Sequence, residues 1–383
     1  MTVTWPRGFR AAGVACGIKA TGARDLAVVV NDGPGDQAAA VLTSNRFQAA
    51  PVLWTQQVVA DGRLRAVVIN SGGANACTGA PGFQDAHATA EHAATCLGAS
   101  ALDIAVCSTG LIGVRLPMAN LLDGVSMAVD QLRADGGAAA AEAIMTTDSR
   151  PKAVAIEDAG FRIGGMAKGA GMLAPGLATM IVVLTTDADL TDLDPNLALR
   201  YATSRSFDRI DSDGCMSTND TVILMASGAS AVRPSQEEFE ALLLRACADL
   251  ARQLIADAEG STKDIAVTVE SAMSEQEALA VARAVARSNL LKCAIGGEDP
   301  NWGRVLSAAG TTDARFDPNL VDVAINGVWI CRQGGIGEDR DLVDLKGRQV
   351  TIVIALNSGT EEATILTNDL TAAYVHENSA YAT

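Results

Sequence analysis

The sequence predicts a mixed α/β protein, and three features predict it. Hydrophobic residues fill 49% of the 383 positions while aromatics fill only 4%, so the core must be assembled from Ala, Val, Leu and Ile, which suits helices packed on sheets. Apolar runs of strand length, such as TVILMAS over 221–227 and VTIVIAL over 350–356, alternate with longer segments of helical period. Gly-rich turns mark the boundaries between them. The length suits two or three units of roughly 100 to 200 residues, or one large layered core.

The elements follow in order. RAVVIN (65–70) and DIAVCSTG (103–110) read as strands ending in Gly-rich turns, and DAHATAEHAATCLG (85–98) as a helix between them. DGGAAAAEAIM (135–145) reads as a helix with a glycine start. MIVVL (180–184) is a buried strand by its unbroken apolar run, and TVILMAS is another. In 234–260, Ser235 and Glu238 have capping-box spacing, and Phe239, Leu243, Ala246, Leu250 and Leu254 form a helical stripe. DIAVTV (264–269), VDVAING (321–327) and VTIVIAL are strands, while 274–289 is a helix opened by Ser274 and Glu277. No repeat of fixed period and no low-complexity linker interrupts the series.

Charge and composition exclude several functions. Asp and Glu outnumber Lys and Arg by 45 to 29, a net −16 that repels phosphate backbones and anionic lipid. Neither nucleic acid nor a membrane is an expected partner, since no apolar run approaches the roughly 20 residues that span a bilayer. Trp5, Pro6, Gly13 and Gly17 break the N-terminal stretch, so no signal peptide is expected and a cytoplasmic location is. The eight cysteines, at 16, 77, 96, 107, 215, 247, 293 and 331, form no C-x-x-C pair and read as reduced core thiols. His87 and His92 miss the four-residue helical spacing and His376 is remote, so neither a metal nor a cofactor is expected.

The candidate chemistry centres on APGLATM (174–180). Taken alone, Thr179 is a β-branched residue opening a strand. If the bond after Ala178 were cut, however, Thr179 would carry a hydroxyl and a free α-amine of pKa ~8 on one residue, a nucleophile with its own base. Such a site needs an oxyanion hole. CSTG (107–110) is a candidate, because a strand ending in Thr109-Gly110 leaves N–H groups free and lets a substrate approach the glycine. NSGGANACTG (70–79) fits no phosphate-loop pattern and reads as a tight turn. Lys168 is either a surface lysine or a cation beside the nucleophile, and position alone leaves both open.

MTTD (145–148), GGMAKGAGMLAPGLATM (164–180), DAEG (257–260), GEDPNWGR (297–304) and the terminal ENSAYAT together resemble the ornithine acetyltransferase family, the glutamate N-acetyltransferases of arginine biosynthesis. The resemblance covers essentially the whole chain. It implies helices layered on two central sheets in a self-cleaving, N-terminal-threonine acyltransferase architecture. It also implies cleavage between Ala178 and Thr179 into an α chain, 1–178, and a β chain, 179–383, assembled two and two. Thr179 is then the nucleophile and Thr109 with Gly110 the oxyanion hole. Thr146, Lys168, Thr179, Glu259, Asn378 and Thr383 line the substrate pocket, with Thr147 a neighbour.

The implied reaction passes acetyl from N-acetylornithine to glutamate by way of Thr179, with acetyl-CoA as the second donor of bifunctional members. In those roles Lys168 holds a carboxylate, Glu259 an ammonium, and Asn378 with Thr383 an amide or carboxylate. Without the family, Glu259 is a helix-end acid before a glycine stop at Gly260, and Asn378 part of a frayed tail. Two rival functions are a self-cleaving amidase or aminopeptidase, which uses water as acceptor, and a non-enzymatic binding protein that never matures.

Overall fold

Runs of small β-branched residues set the frame of the molecule, which is a computed structural model describing residues 2–174 and 180–380. The described residues form two units, one drawn from 2–208 with 215–257 and the other from 209–214 with 258–380. The first opens with β1 (Phe9–Val14), β2 (Leu26–Asn31), β3 (Ala38–Leu42), α1 (Ala50–Val58), β4 (Ala66–Gly73), α2 (Gly79–Leu97) and β5 (Ile104–Leu111). It continues with α3 (Met118–Asp130), α4 (Gly137–Ala143), β6 (Lys152–Asp158), β7 (Phe161–Lys168), β8 (Ile181–Thr186), α5 (Pro195–Ser204), β9 (Thr221–Ala226) and α6 (Gln236–Ile255).

These strands make two sheets, in orders β1-β2-β4-β5 and β3-β9-β8-β7-β6. Every residue of β2, β8 and β9 is buried, as expected for strands covered on both faces. One face of each sheet packs on helices, and the cluster around Val28, Val67 and Val106 continues into Met166, Ile181, Val183, Ile223 and Met225 of the other sheet. Helices layered on two central sheets are therefore what this unit shows. The expected cut at 178/179 does not coincide with the division into units. β7 precedes it and β8 follows it, and the two pair antiparallel from Ile163↔Thr186 to Lys168↔Ile181.

The second unit adds β10 (Asp264–Ala272), α7 (Glu275–Ala286), α8 (Asn289–Gly296), α9 (Trp302–Ala309), β11 (Asp322–Ile325), β12 (Val328–Arg332), β13 (Gly335–Ile336), β14 (Gln349–Ala355), β15 (Glu361–Asn368) and α10 (Ala372–Ala380). Its sheet runs β13-β12-β11-β14-β10-β15. Val267, Val269, Ile352, Ile354 and Ile365 face a core shared with α7, α8 and α9. On the opposite face Thr268 and Thr364 share a hydrogen bond of 2.9 Å, the alternation of a sheet covered on one side.

Caps and turns follow the sequence closely. Ser235 accepts from the N–H of Glu238 and Glu238 accepts from that of Ser235, a complete capping box. Ser274 also caps Glu277, but the Glu277 carboxylate turns to Arg315 at 2.6 Å instead of closing the box. The predicted helix at 85–98 begins earlier, at Gly79. The expectation that all eight cysteines lie in the core is corrected. Cys107, Cys247 and Cys331 are buried, Cys16 is partly buried, and Cys77, Cys96, Cys215 and Cys293 are exposed. Cys96 and Cys293 occupy outward helical positions, and Cys77 stands in a turn at φ 55°; small apolar neighbours did not report these facings.

Close backbone packing makes Gly13 a sensitive position, because a Cβ there would lie 1.9 Å from the carbonyl oxygen of Ala139 in α4. Gly13→Ala should destabilise the protein by about 2 kcal/mol through overpacking, and Ser235→Ala by about 1 kcal/mol through loss of the cap. Urea unfolding of both variants checks this, and the expected ranking has Gly13→Ala the less stable.

Candidate active site

β5 is an edge strand whose open side is covered rather than left bare. Trp54 Nε1 donates to the carbonyl of Ile104 at 3.0 Å and Thr55 Oγ1 to that of Val106 at 2.7 Å, so α1 fixes the strand that carries Thr109 and Gly110. On its paired side Ser71 stands beside Thr109 and Gly72 beside Gly110. Gly110 has φ 130°, and a Cβ on it would sit 2.5 Å from the Gly72 carbonyl carbon. The neighbouring strand thus leaves no room for a side chain at Gly110, and the strand runs on to Leu111 rather than ending at Thr-Gly.

The 70–79 turn braces this strand. Ser108 Oγ donates to Asn70 Oδ1 at 2.5 Å, and Asn219 Nδ2 donates to the carbonyls of Ser108 and Ala74 at 2.7 and 2.6 Å. Cys107, next in line, is no rival nucleophile, because burial pushes its thiol up to about 12.

Lys168, the last residue of β7, is 2% exposed, and its Nζ donates to Thr109 Oγ1 at 3.2 Å. Of its two readings, the surface lysine is set aside by this burial; the place of the nucleophile lies outside the described residues. Behind it lies Asp148. Its Oδ1 accepts from Lys152 Nζ at 2.6 Å and from the Gly169 N–H at 2.7 Å, and its Oδ2 accepts from the Thr146 N–H at 2.9 Å. Lys152 Nζ also reaches Asp257 Oδ2 at 2.5 Å. Burial pushes the Asp148 carboxyl up, but the charges of Lys168 and Lys152 and the Gly169 N–H outweigh it and hold the group at about 2. One buried carboxylate thereby fixes both the Thr146 turn and the residue after Lys168. Thr146 and Thr147 are both half-buried.

Ala178 and Thr179 lie outside the described residues. Met180, which follows them, is pinned from two sides: its N–H donates to Asp220 Oδ1 at 3.0 Å, and its carbonyl accepts from the Thr221 N–H at 3.0 Å. Burial pushes the Asp220 carboxyl well above the usual carboxylate range, against the Met180 N–H and the Lys168 charge. Its Oδ2 has no hydrogen-bond partner among the described residues.

In the second unit, Asn378 Nδ2 donates to Glu259 Oε2 and to the Tyr374 carbonyl, each at 3.0 Å. Gly260 is not a helix stop, since α6 ends at Ile255. It makes room instead for α10, because a Cβ on it would lie 2.2 Å from the Tyr374 nitrogen. Asn378 accordingly sits on an ordered helix beside Glu259, while Thr383 lies outside the described residues.

The profile of the ArgJ family matches residues 10–383. The chain belongs to the ArgJ family. Among the relatives of this ArgJ-family chain is the arginine biosynthesis bifunctional protein ArgJ of Thermobifida fusca, 62% identical over 383 residues that cover all of both chains. The protein of that name from Streptomyces coelicolor is 62% identical over 381 residues, again covering both fully. A solved chain of Mycobacterium tuberculosis ornithine acetyltransferase complexed with ornithine is 60% identical, covers 45% of this chain and 94% of its own, and superposes with a TM-score of 0.45.

Sequence reasoning passed over Asp148, Asn219 and Asp220. The signal for Asp148 was its place at the end of MTTD, and that for the other two was a polar STND run leading directly into the buried strand TVILMA.

Asp148→Asn removes the buried anion shared by Lys152 and Lys168, so the variant should lose about 3 kcal/mol at neutral pH. The folded carboxyl at about 2 lies below its unfolded value of ~3.9. The stabilisation is therefore full above about pH 4 and disappears as pH falls through about 2. Urea unfolding across that window should show wild type and variant converging; a constant gap would contradict the assignment.

Proposed function

We propose that the chain cuts itself between Ala178 and Thr179 and then transfers acetyl from N-acetylornithine to glutamate through an ester on Thr179. In this reading the Thr179 hydroxyl attacks the acetyl carbonyl while the new α-amine takes its proton. Thr109 and Gly110 stabilise the oxyanion. Ornithine leaves with that proton on its nitrogen, and the glutamate amine then attacks the ester, returning the hydroxyl and yielding N-acetylglutamate. The name of the relatives, a bifunctional protein of arginine biosynthesis, leads us to infer acetyl-CoA as a second donor.

The observation that carries the reading is a buried cation bonded to Thr109, Lys168 Nζ to Thr109 Oγ1, in a chain of the ArgJ family. A desolvated ammonium beside the candidate oxyanion hole favours negative charge there, whether a substrate carboxylate or the oxyanion. Glu259 with Asn378 at 3.0 Å supports a polar pair for the ornithine ammonium, and substrate contacts by Thr146, Thr147 and Thr383 belong to the same proposal. The β7–β8 pairing on either side of the cleaved segment supports self-processing, because both new ends stay tied to strands of one sheet. Assembly of two α and two β chains and a cytoplasmic setting belong to the same proposal. Among the described residues, no helix is long and apolar enough to cross a membrane.

Purified wild-type protein should give two fragments by intact mass, the second beginning at Thr179, while Thr179→Ala should stay whole and lack acetyl transfer. Cleavage of that variant between 178 and 179 would contradict processing by this hydroxyl. Initial rates at several fixed glutamate concentrations should give parallel double-reciprocal lines, and intersecting lines would indicate a ternary complex.

A further inference from the structure

We propose that Lys19 is a second cation of the substrate pocket and holds the side-chain carboxylate of the acceptor glutamate. The inference rests on the acetyl-transfer reading above.

Lys19 is not a loose surface lysine. Its backbone N–H donates to Asp25 Oδ2 at 3.0 Å, and the N–H groups of Cys16 and Ile18 donate to the same carboxylate at 2.7 Å each, so a buried aspartate folds the 16–19 turn into one shape. The half-buried side chain then crosses Gly72, since a Cβ on that glycine would lie 3.3 Å from Lys19 Cγ. Gly72 is the strand partner of Gly110. At its far end Lys19 Nζ donates to the carbonyl of Met145 at 2.7 Å and to that of Arg24 at 2.8 Å. Met145 immediately precedes Thr146. The side chain thus runs from beside Gly72 to the residue before Thr146, and two carbonyls occupy two of the three ammonium donors.

Substrate chemistry decides which group the third donor meets. The α-carboxylate shared by ornithine and glutamate lies close to the nitrogen that carries acetyl, so it belongs beside the oxyanion strand, where Lys168 bonds Thr109. The side-chain carboxylate of glutamate lies several bonds farther out. Ornithine carries an ammonium there instead. A cation anchored on Met145 rather than on Thr109 suits the outer group, and it selects for the acceptor rather than the donor.

The test uses the processed protein and separates the two half-reactions. Acetylation of the 179–383 fragment by N-acetylornithine alone is followed by intact mass, and its discharge is then measured with glutamate and with glutamine, which has the same shape but no side-chain charge. Because the cation removed faces the ammonium of the donor, acetylation of Lys19→Gln should be kept or raised. Its preference for glutamate over glutamine should fall about tenfold or more, and Lys19→Arg should retain most of that preference. Both acceptors are measured on the same preparation, so partial misfolding scales the two rates together and leaves their ratio intact. An unchanged ratio in Lys19→Gln overturns the assignment of Lys19 alone. A wild-type protein that takes no acetyl from N-acetylornithine overturns the reading beneath it as well.

Discussion

The buried carboxylate of Asp148 is the constraint on which the candidate site depends. It accepts from Lys152, Gly169 and Thr146, and so joins the MTTD turn, the start of β6 and the end of β7. A carboxylate so far from solvent persists as an anion only because these donors and two lysines surround it. The geometry around Lys168 follows from this. Its backbone neighbour Gly169 is held by Asp148, and its ammonium is delivered to Thr109 by the register of a strand buried along nearly its whole length.

The second requirement of the proposed chemistry is a frame that survives a cut in its own chain. Two layered sheets meet it, because neighbouring strands come from both sides of residue 178. β7 pairs with β8, and β3 pairs with β9. Met180 is additionally clamped between Asp220 and Thr221. Holding the residue after the proposed nucleophile at both its N–H and its carbonyl would reduce the freedom gained by a chain end formed there.

Much of the fold was legible because its signals are local. MIVVL and TVILMAS became β8 and β9, the Ser235 capping box opens α6, and DGGAAAAEAIM contains α4. The pairings inside the site were not local. Lys168 meets Thr109 across 59 positions and Asn378 meets Glu259 across 119, separations that no period or spacing encodes. The family resemblance named those residues, but it gave neither their contacts nor Asp148, an aspartate in a turn like many others. For Gly110 the sequence suggested close approach of a substrate and the resemblance an oxyanion hole, and neither gave the strand-to-strand packing against Gly72 that leaves no room for a Cβ. Cysteine burial was misjudged for a related reason: neighbouring residue types do not tell which face of a helix a side chain takes.

The claim at the centre of this account is that acetyl rests on the protein between donor and acceptor. Isotope exchange tests it most directly, with the processed protein given N-acetylornithine and labelled ornithine while glutamate is withheld. A covalent acetyl intermediate predicts that label enters N-acetylornithine at a rate comparable to turnover. Absence of exchange until glutamate is added would contradict the account and require both amino acids to be bound at once.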